Sequence, residues 1–264
     1  MTLVDPGQNR VIAEASVKTD RIDAKRLAHM LRADILVESY VPGEDIRTLR
    51  DLVRTRKALV EERTAEKNRV RAVLKHTDNA YDSALFGPTG REYLSELSLS
   101  EIDRLIVEAH LAVIEEYDAQ IERLEAEIEA EVLESEPAQL LLSIPGVGQS
   151  TAALVVAEVG EIERFDRHEE LVSYAGLDLM VHQSGDTEVH GSISKEGSAS
   201  LRWTLVQAAY VSVRYDEYLG NFYTRSKQRK NHQIAIVATA RKLLVSMFYM
   251  LQRRELYDPS EVSA

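Results

Sequence analysis

The sequence predicts a mainly α-helical protein built in three parts, and three observations carry that prediction. Apolar residues recur at three- and four-residue spacing along most of the 264 positions, including two stretches long enough for helices of many turns. Breaks that end such patterns stand at Pro42-Gly43 and Glu136-Pro137, dividing the chain into residues 1–45, 46–137 and 138–258, with 259–264 as a tail. Hydrophobic residues make up 44% of the chain, enough apolar mass to bury a core.

Composition narrows the chemistry. Zero cysteines exclude disulfides, thiolate zinc sites and a cysteine nucleophile, and the seven histidines fall at no paired ligand spacing. Any metal would therefore be held by oxygen. No stretch reads as a bilayer-crossing run of about 20 apolar residues, and MTLVDPGQNR lacks the basic and apolar regions of a leader, so the expectation is a soluble, cytoplasmic protein. A formal net charge of -12 opposes phosphate on average. That charge is segregated, however, and local clusters decide binding wherever salt shortens the Debye length, to about 3 Å near 1 M.

The first part opens with the apolar pair Leu3 and Val4, stopped by Pro6-Gly7, and continues as a helix from Thr19 to about Arg32. Within its TDRIDAKRLA segment, Asp20 and Asp23 are three apart and share a helix face, where two carboxylates could hold one hard divalent cation such as Mg²⁺. The competing reading makes Asp20 an N-cap and Asp23 its partner in a capping pair. Upstream, Asp5 and Glu14 are the only other acids.

The second part predicts two long helices of opposite charge. Ile46 to Lys75 carries ten Lys or Arg against four acids, a net of +6. The partner, from a Ser100 N-cap to about Ser135, carries twelve acids and two arginines, a net of -10. Two uses of the basic face are compatible: attraction across an antiparallel coiled-coil seam, or a phosphate track formed by Arg63, Lys67, Arg69 and their neighbours.

In the third part, the segment from Leu140 to Gly160 (…SIPGVGQSTAALVVAEVG) reads as helix, tight turn, helix. Gly146 and Gly148 let a backbone approach closely, and the amides of Gln149 and Ser150 open the next helix, an arrangement suited to phosphate. A helix from about Arg167 to Tyr174, closed by Gly176, leads into the polar stretch MVHQSGDTEVHGSISKEGS, expected as a loop containing Ser184. Lys195 and Arg202 follow as basic candidates, with Ser198 capping a helix from Ala199 to about Arg214. Arg225, Lys227, Arg229 and Lys230 form the densest cationic segment, expected as a loop before a last helix from His232 to about Arg254.

The ordered set KTDRIDAKRLA, RTRKALVEERTAEKNRVRAVL, SIPGVGQSTAALVVAEVG, SYAGL, ISKEGSASLR and ATARKLL resembles the DEDD transposases of the insertion-sequence family numbered one hundred and ten, the bridge-RNA-guided recombinases, over about residues 2–258. The resemblance implies a remnant of a RuvC-like (RNase H-like) α/β domain in residues 1–45, a helical coiled-coil region in 46–137, and an all-helical transposase domain with a helix-hairpin-helix in 138–258. It implies Ser184 as the nucleophile toward DNA phosphate, Asp20 and Asp23 as two of four Mg²⁺-binding carboxylates, and DNA, a guide RNA and further copies of the chain (a dimer or tetramer) as partners. The family pattern puts its other two acids well upstream of the TDxxD helix, and the sequence begins 19 residues before Asp20. The reading is thus an N-terminally truncated transposase with an incomplete catalytic site. The alternative is a non-catalytic nucleic-acid-binding protein derived from one.

Overall fold

The computed structural model describes residues 19–33, 35, 40–77, 79, 85–184 and 187–259, with Asp20 and residues 180–192 described by their backbone alone. The chain divides into two compact units, residues 1–44 and 45–264. Leu3, Val4, Asp5 and Glu14 lie outside the described residues.

In the first unit, α1 (Asp20–Arg32) starts at Thr19, whose hydroxyl accepts from the Ile22 amide at 3.4 Å, and ends with the Ala33 amide bonded to the His29 carbonyl. The cap is thus Thr19 and not Asp20, which leaves both aspartates outside the capping bond.

The larger unit begins with α2 (Glu44–His76), which runs antiparallel to α4 (Glu101–Glu134). Their ion pairs set the direction: Arg56 meets Glu125, Arg63 meets Asp118 and Glu66 meets His110, so contacts descend α4 as they ascend α2. Ser100 starts α4, accepting from the Asp103 amide at 3.1 Å, with acids in the first turn where the helix dipole favours them. At one end of the pair, α3 (Pro88–Glu96) and Leu85 close a small core of Val70, Leu74, Leu94, Val107 and Ile114. At the other, Leu49, Val53, Ile128 and Val132 join the main core. The Glu136-Pro137 break is a helix start: α5 (Glu136–Leu142) carries Pro137 in its first turn, where the missing N–H costs nothing.

That main core is organised around two apolar helices. In α6 (Gln149–Val159) every residue from Ala152 to Val159 is buried, the pattern of a helix surrounded on all sides. A 3₁₀ turn (Ile162–Arg164) and α7 (His168–Tyr174) follow, then α8 (Ala199–Tyr215), α9 (Glu217–Arg229) and α10 (His232–Arg253). By length and composition α10 is apolar enough to cross a bilayer, but Leu243, Leu244 and Met247 are fully buried as it packs against α7, α8 and α9.

Mainly α holds, with two local corrections. The stretch expected as a polar loop is an antiparallel hairpin, β1 (Leu179–Ser184) with β2 (Thr187–Ile193), pairing Ser184 with Thr187, Gln183 with Glu188, His182 with Val189 and Val181 with His190. The third part is therefore not all-helical. The signal was a two-residue Gly-Asp connection between strands containing Val181, Thr187 and Val189; Gly185 and Asp186 themselves lie outside the described residues. The segment expected as a basic loop is the last turn of α9, which Asp216 starts by accepting from the Leu219 amide at 2.6 Å. No strong helix breaker precedes Asn231, which caps α10.

Candidate functional site

Ser184 ends β1, opposite Thr187 and farthest along the hairpin from its base. The base is a collar of short bonds. Ser194 donates its amide to the Asp178 carbonyl at 2.9 Å and its hydroxyl to the Asp178 carboxylate at 2.5 Å. Gly197, at φ 114°, lies so close to the Tyr174 carbonyl that a Cβ there would sit 2.2 Å from the oxygen. The Ser198 amide donates to the same carbonyl at 2.9 Å, and Arg202 donates to the Ala175 carbonyl at 3.0 Å. Arg202, a candidate phosphate ligand, thus places one guanidinium nitrogen on the collar, and Lys195 is exposed on it.

The collar is anchored below by a charge. Ser198 caps α8 and donates its hydroxyl at 2.8 Å to Glu158, a wholly buried carboxylate on α6. Arg54 of α2 donates to both Glu158 oxygens, at 2.7 and 3.0 Å. The hydrogen bond to Glu158 holds the Arg54 guanidinium above its usual range against the opposing effect of burial. Arg50 covers the end of α6, donating to the carbonyls of Ala157 at 3.0 Å and Glu158 at 3.3 Å. Sequence reasoning missed Glu158; its signal was a lone acid inside an otherwise apolar helix.

The glycine turn separates into two roles. Gly146 has φ 93° and packs on α8, where an added Cβ would meet the Ser212 nitrogen at 2.7 Å, so its glycine serves backbone packing. Gly148, the N-cap of α6, faces open space. That space is a cavity of about 510 Å³ shared with Glu122, Glu125 and Glu129 of α4, and Gln149 donates to Glu129 at 3.0 Å. The expected phosphate position beside Gln149 and Ser150 therefore faces a wall of carboxylates, which repel an anion.

Most cations of α2 are likewise committed within the fold. Arg63 pairs with Asp118 at 2.5 Å, Arg69 with Glu66, and Lys57 with Glu61 while lying over the Trp203 ring. Lys67 and Arg71 sit over Phe86 at 5.4 and 5.0 Å. Burial, reinforced by neighbouring Arg63, holds the Lys67 ammonium below the usual lysine range. Of the two uses open to this face, the seam accounts for Arg63, whereas Arg69 pairs within α2.

The end of α9 is different. Arg225, Lys227, Arg229 and Lys230 are exposed, and none forms an ion pair among the described residues. Arg225 bonds only the Asn221 carbonyl, at 3.3 Å, and Lys227 lies 5.8 Å from the Tyr223 ring.

In α1, one oxygen of Asp23 is screened from solvent without a partner among the described residues, as expected of a carboxylate shaped to receive a cation. Asp20 stands about one helical turn earlier on the α1 backbone. Among the described residues no group of three or more His, Asp or Glu is arranged to hold a metal.

Comparison with known proteins joins these features. Residues 138–224 match the family model described as "Transposase IS116/IS110/IS902 family", and residues 4–78 match a second model, that of the DEDD transposase of IS110. Over 257 residues the chain is 30% identical to the transposase for insertion sequence element IS1111A of Coxiella burnetii, covering 92% of this chain and 69% of that one. The chain belongs to this transposase family. A transposase for insertion sequence element IS1328 of Yersinia enterocolitica is 27% identical over 239 residues, 86% of this chain and 70% of the relative. The pilin gene-inverting protein of Moraxella bovis is 32% identical over 126 residues, 46% of this chain and 38% of its own length. The chain spans between 59% and 70% of the length of the relatives that it matches over most of itself. Within the family match, Ser184 and its collar fall inside 138–224, and Asp20 and Asp23 inside 4–78.

Proposed function

We propose that this transposase binds DNA and carries out strand exchange by phosphoryl transfer, with Ser184 as nucleophile. The observation that carries the reading is the position of Ser184 at the end of a strand whose base is fixed by Asp178, Ser194, Gly197 and Ser198. A nucleophile so mounted can reach a phosphodiester while its support stays still. The Ser184 oxygen forms a bond to phosphorus as one P–O bond of the backbone breaks, and the hydroxyl proton ends on the departing oxygen. Asp20 and Asp23 would hold a Mg²⁺ ion, whose chemistry is to neutralise phosphate charge. The exposed cations at the end of α9, with Lys195, supply the attraction for the polynucleotide.

A guide RNA and further copies of the chain, as a dimer or tetramer, complete the proposed complex in the cytoplasm. Support for self-association comes from the apolar residues Ile102 and Leu105, which are 72% and 68% exposed on α4.

The test is a covalent-adduct and strand-transfer assay with labelled element-end DNA, Mg²⁺ and the cognate RNA, comparing the chain with Ser184→Ala. A serine-dependent adduct is expected. Equal adduct from both proteins removes Ser184 from the chemistry, and binding without any adduct supports the non-catalytic nucleic-acid-binding reading instead.

A further inference from the structure

Three helices bring aromatic rings together near the exposed cations of the α9 end. Tyr210 of α8 packs at a 49° tilt and Tyr223 of α9 edge-on against His232, the first residue of α10, with ring centroids 5.5 and 5.8 Å from it. The Tyr223 hydroxyl meets His232 Nδ1 at 2.6 Å, which fixes the two rings at right angles. His232 is exposed, Tyr210 and Tyr223 are half-buried, and Ile234, 49% exposed, extends the apolar surface. Lys227 lies beside the Tyr223 ring, Lys230 falls on the same side of α9 by helical spacing, and Arg225 and Arg229 are exposed within the same six residues of sequence.

One or two cations would satisfy the negative end of the α9 dipole. Four without acidic partners among the described residues, on a chain of net charge -12, exceed that need. Charge alone would serve any duplex, but an exposed imidazole beside half-exposed phenol rings offers something a duplex cannot use, because its bases are stacked inside.

We propose that Tyr223 and His232, with Tyr210 behind them, form a stacking platform for unpaired bases of a single-stranded polynucleotide whose backbone is held by Arg225, Lys227, Arg229 and Lys230. This rests on the reading of the α9 end as a nucleic-acid surface and deepens it. The ligand chemistry is an exposed base next to phosphate, present in an RNA loop and in a displaced DNA strand. The hydroxyl-to-imidazole bond pre-organises the platform, so that binding does not have to immobilise the rings.

The experiment measures affinity of the full chain by fluorescence anisotropy for a labelled oligo-dT, an oligo-U of equal length, and a duplex. Wild type is compared with the ring variant Tyr223→Leu/His232→Leu and with the charge variant Arg225→Gln/Lys227→Gln/Arg229→Gln/Lys230→Gln; near-UV circular dichroism checks that each is folded. The ring variant is expected to lose roughly tenfold or more on a single strand, from base–aromatic stacking, and under about twofold on the duplex. The charge variant is expected to weaken all three ligands and to lower the salt dependence. Preference of oligo-U over oligo-dT that survives in the ring variant assigns the RNA source to other residues; preference lost with the rings assigns it to the platform. A ring variant that weakens all ligands equally, or none, overturns the platform while the cationic surface stands. A wild type that binds none of the three ligands overturns both readings.

Discussion

Arg54 on α2 and Glu158 on α6 form a bidentate ion pair at 2.7 and 3.0 Å, with the carboxylate wholly buried and also bonded to Ser198. The pair ties the long helical hairpin to the collar that carries Ser184. Removing Arg54 leaves a buried charge uncompensated, so Arg54→Met should cost about 3 kcal/mol, toward the low end for buried pairs because Arg54 is itself half exposed. In urea unfolding, Arg54→Met/Glu158→Leu should recover much of that loss; a double variant as unstable as the sum of the single ones would show that the buried charge is not the cause.

Gly146 and Gly148 should respond unequally to the same change. Gly146→Ala meets the Ser212 backbone and a left-handed φ, a strain expected to cost about 2 kcal/mol or more. Gly148→Ala points into open space and should cost under about 1 kcal/mol, the difference between glycine and alanine at an N-cap. Thermal melts distinguish them, and a folded Gly148→Ala protein with weakened DNA affinity would return the phosphate role to this turn despite its acidic wall.

The basic face of α2 and the end of α9 make separate predictions. Arg63→Gln and Arg69→Gln break pairs with Asp118 and Glu66 and should change nucleic-acid affinity by less than about twofold, with about 0–1 kcal/mol in stability. Arg229→Gln/Lys230→Gln should lower the slope of log affinity against log salt by roughly two on a duplex. Reversed results would make α2 the phosphate track.

Tyr257 gives a pH dependence. Burial, with Asp216 nearby, pushes its phenol well above the usual range, so the folded state resists its ionisation. Since the folded value is raised, the contribution is complete below the unfolded phenol value of about 10 and is lost as pH rises beyond it. Stability of wild type should fall faster than that of Tyr257→Phe between about pH 9.5 and 11. Parallel curves would remove Tyr257 as the cause.

Much of this molecule is written locally. The helix starts at Ser100 and Ser198 follow from a hydroxyl before an apolar period, and the opposite charges of α2 and α4 follow from counting. The ordered motifs were sufficient to bring the family into view, because side-chain types at fixed spacing survive in a linear reading. What escaped it depends on partners far away in sequence. Gly146 is a packing glycine because of Ser212, Arg54 is an anchor because of Glu158, and Arg63 is committed because α4 returns alongside α2. The hairpin carrying Ser184 was hidden because its strands are short and rich in polar residues, so that cross-strand pairing, and no apolar alternation, identifies them. The sequence determined that the chain is mainly helical, where charge resides and which candidate nucleophile to examine. Only the tertiary structure decided which charges are already neutralised and which rings meet, since both depend on distances through space.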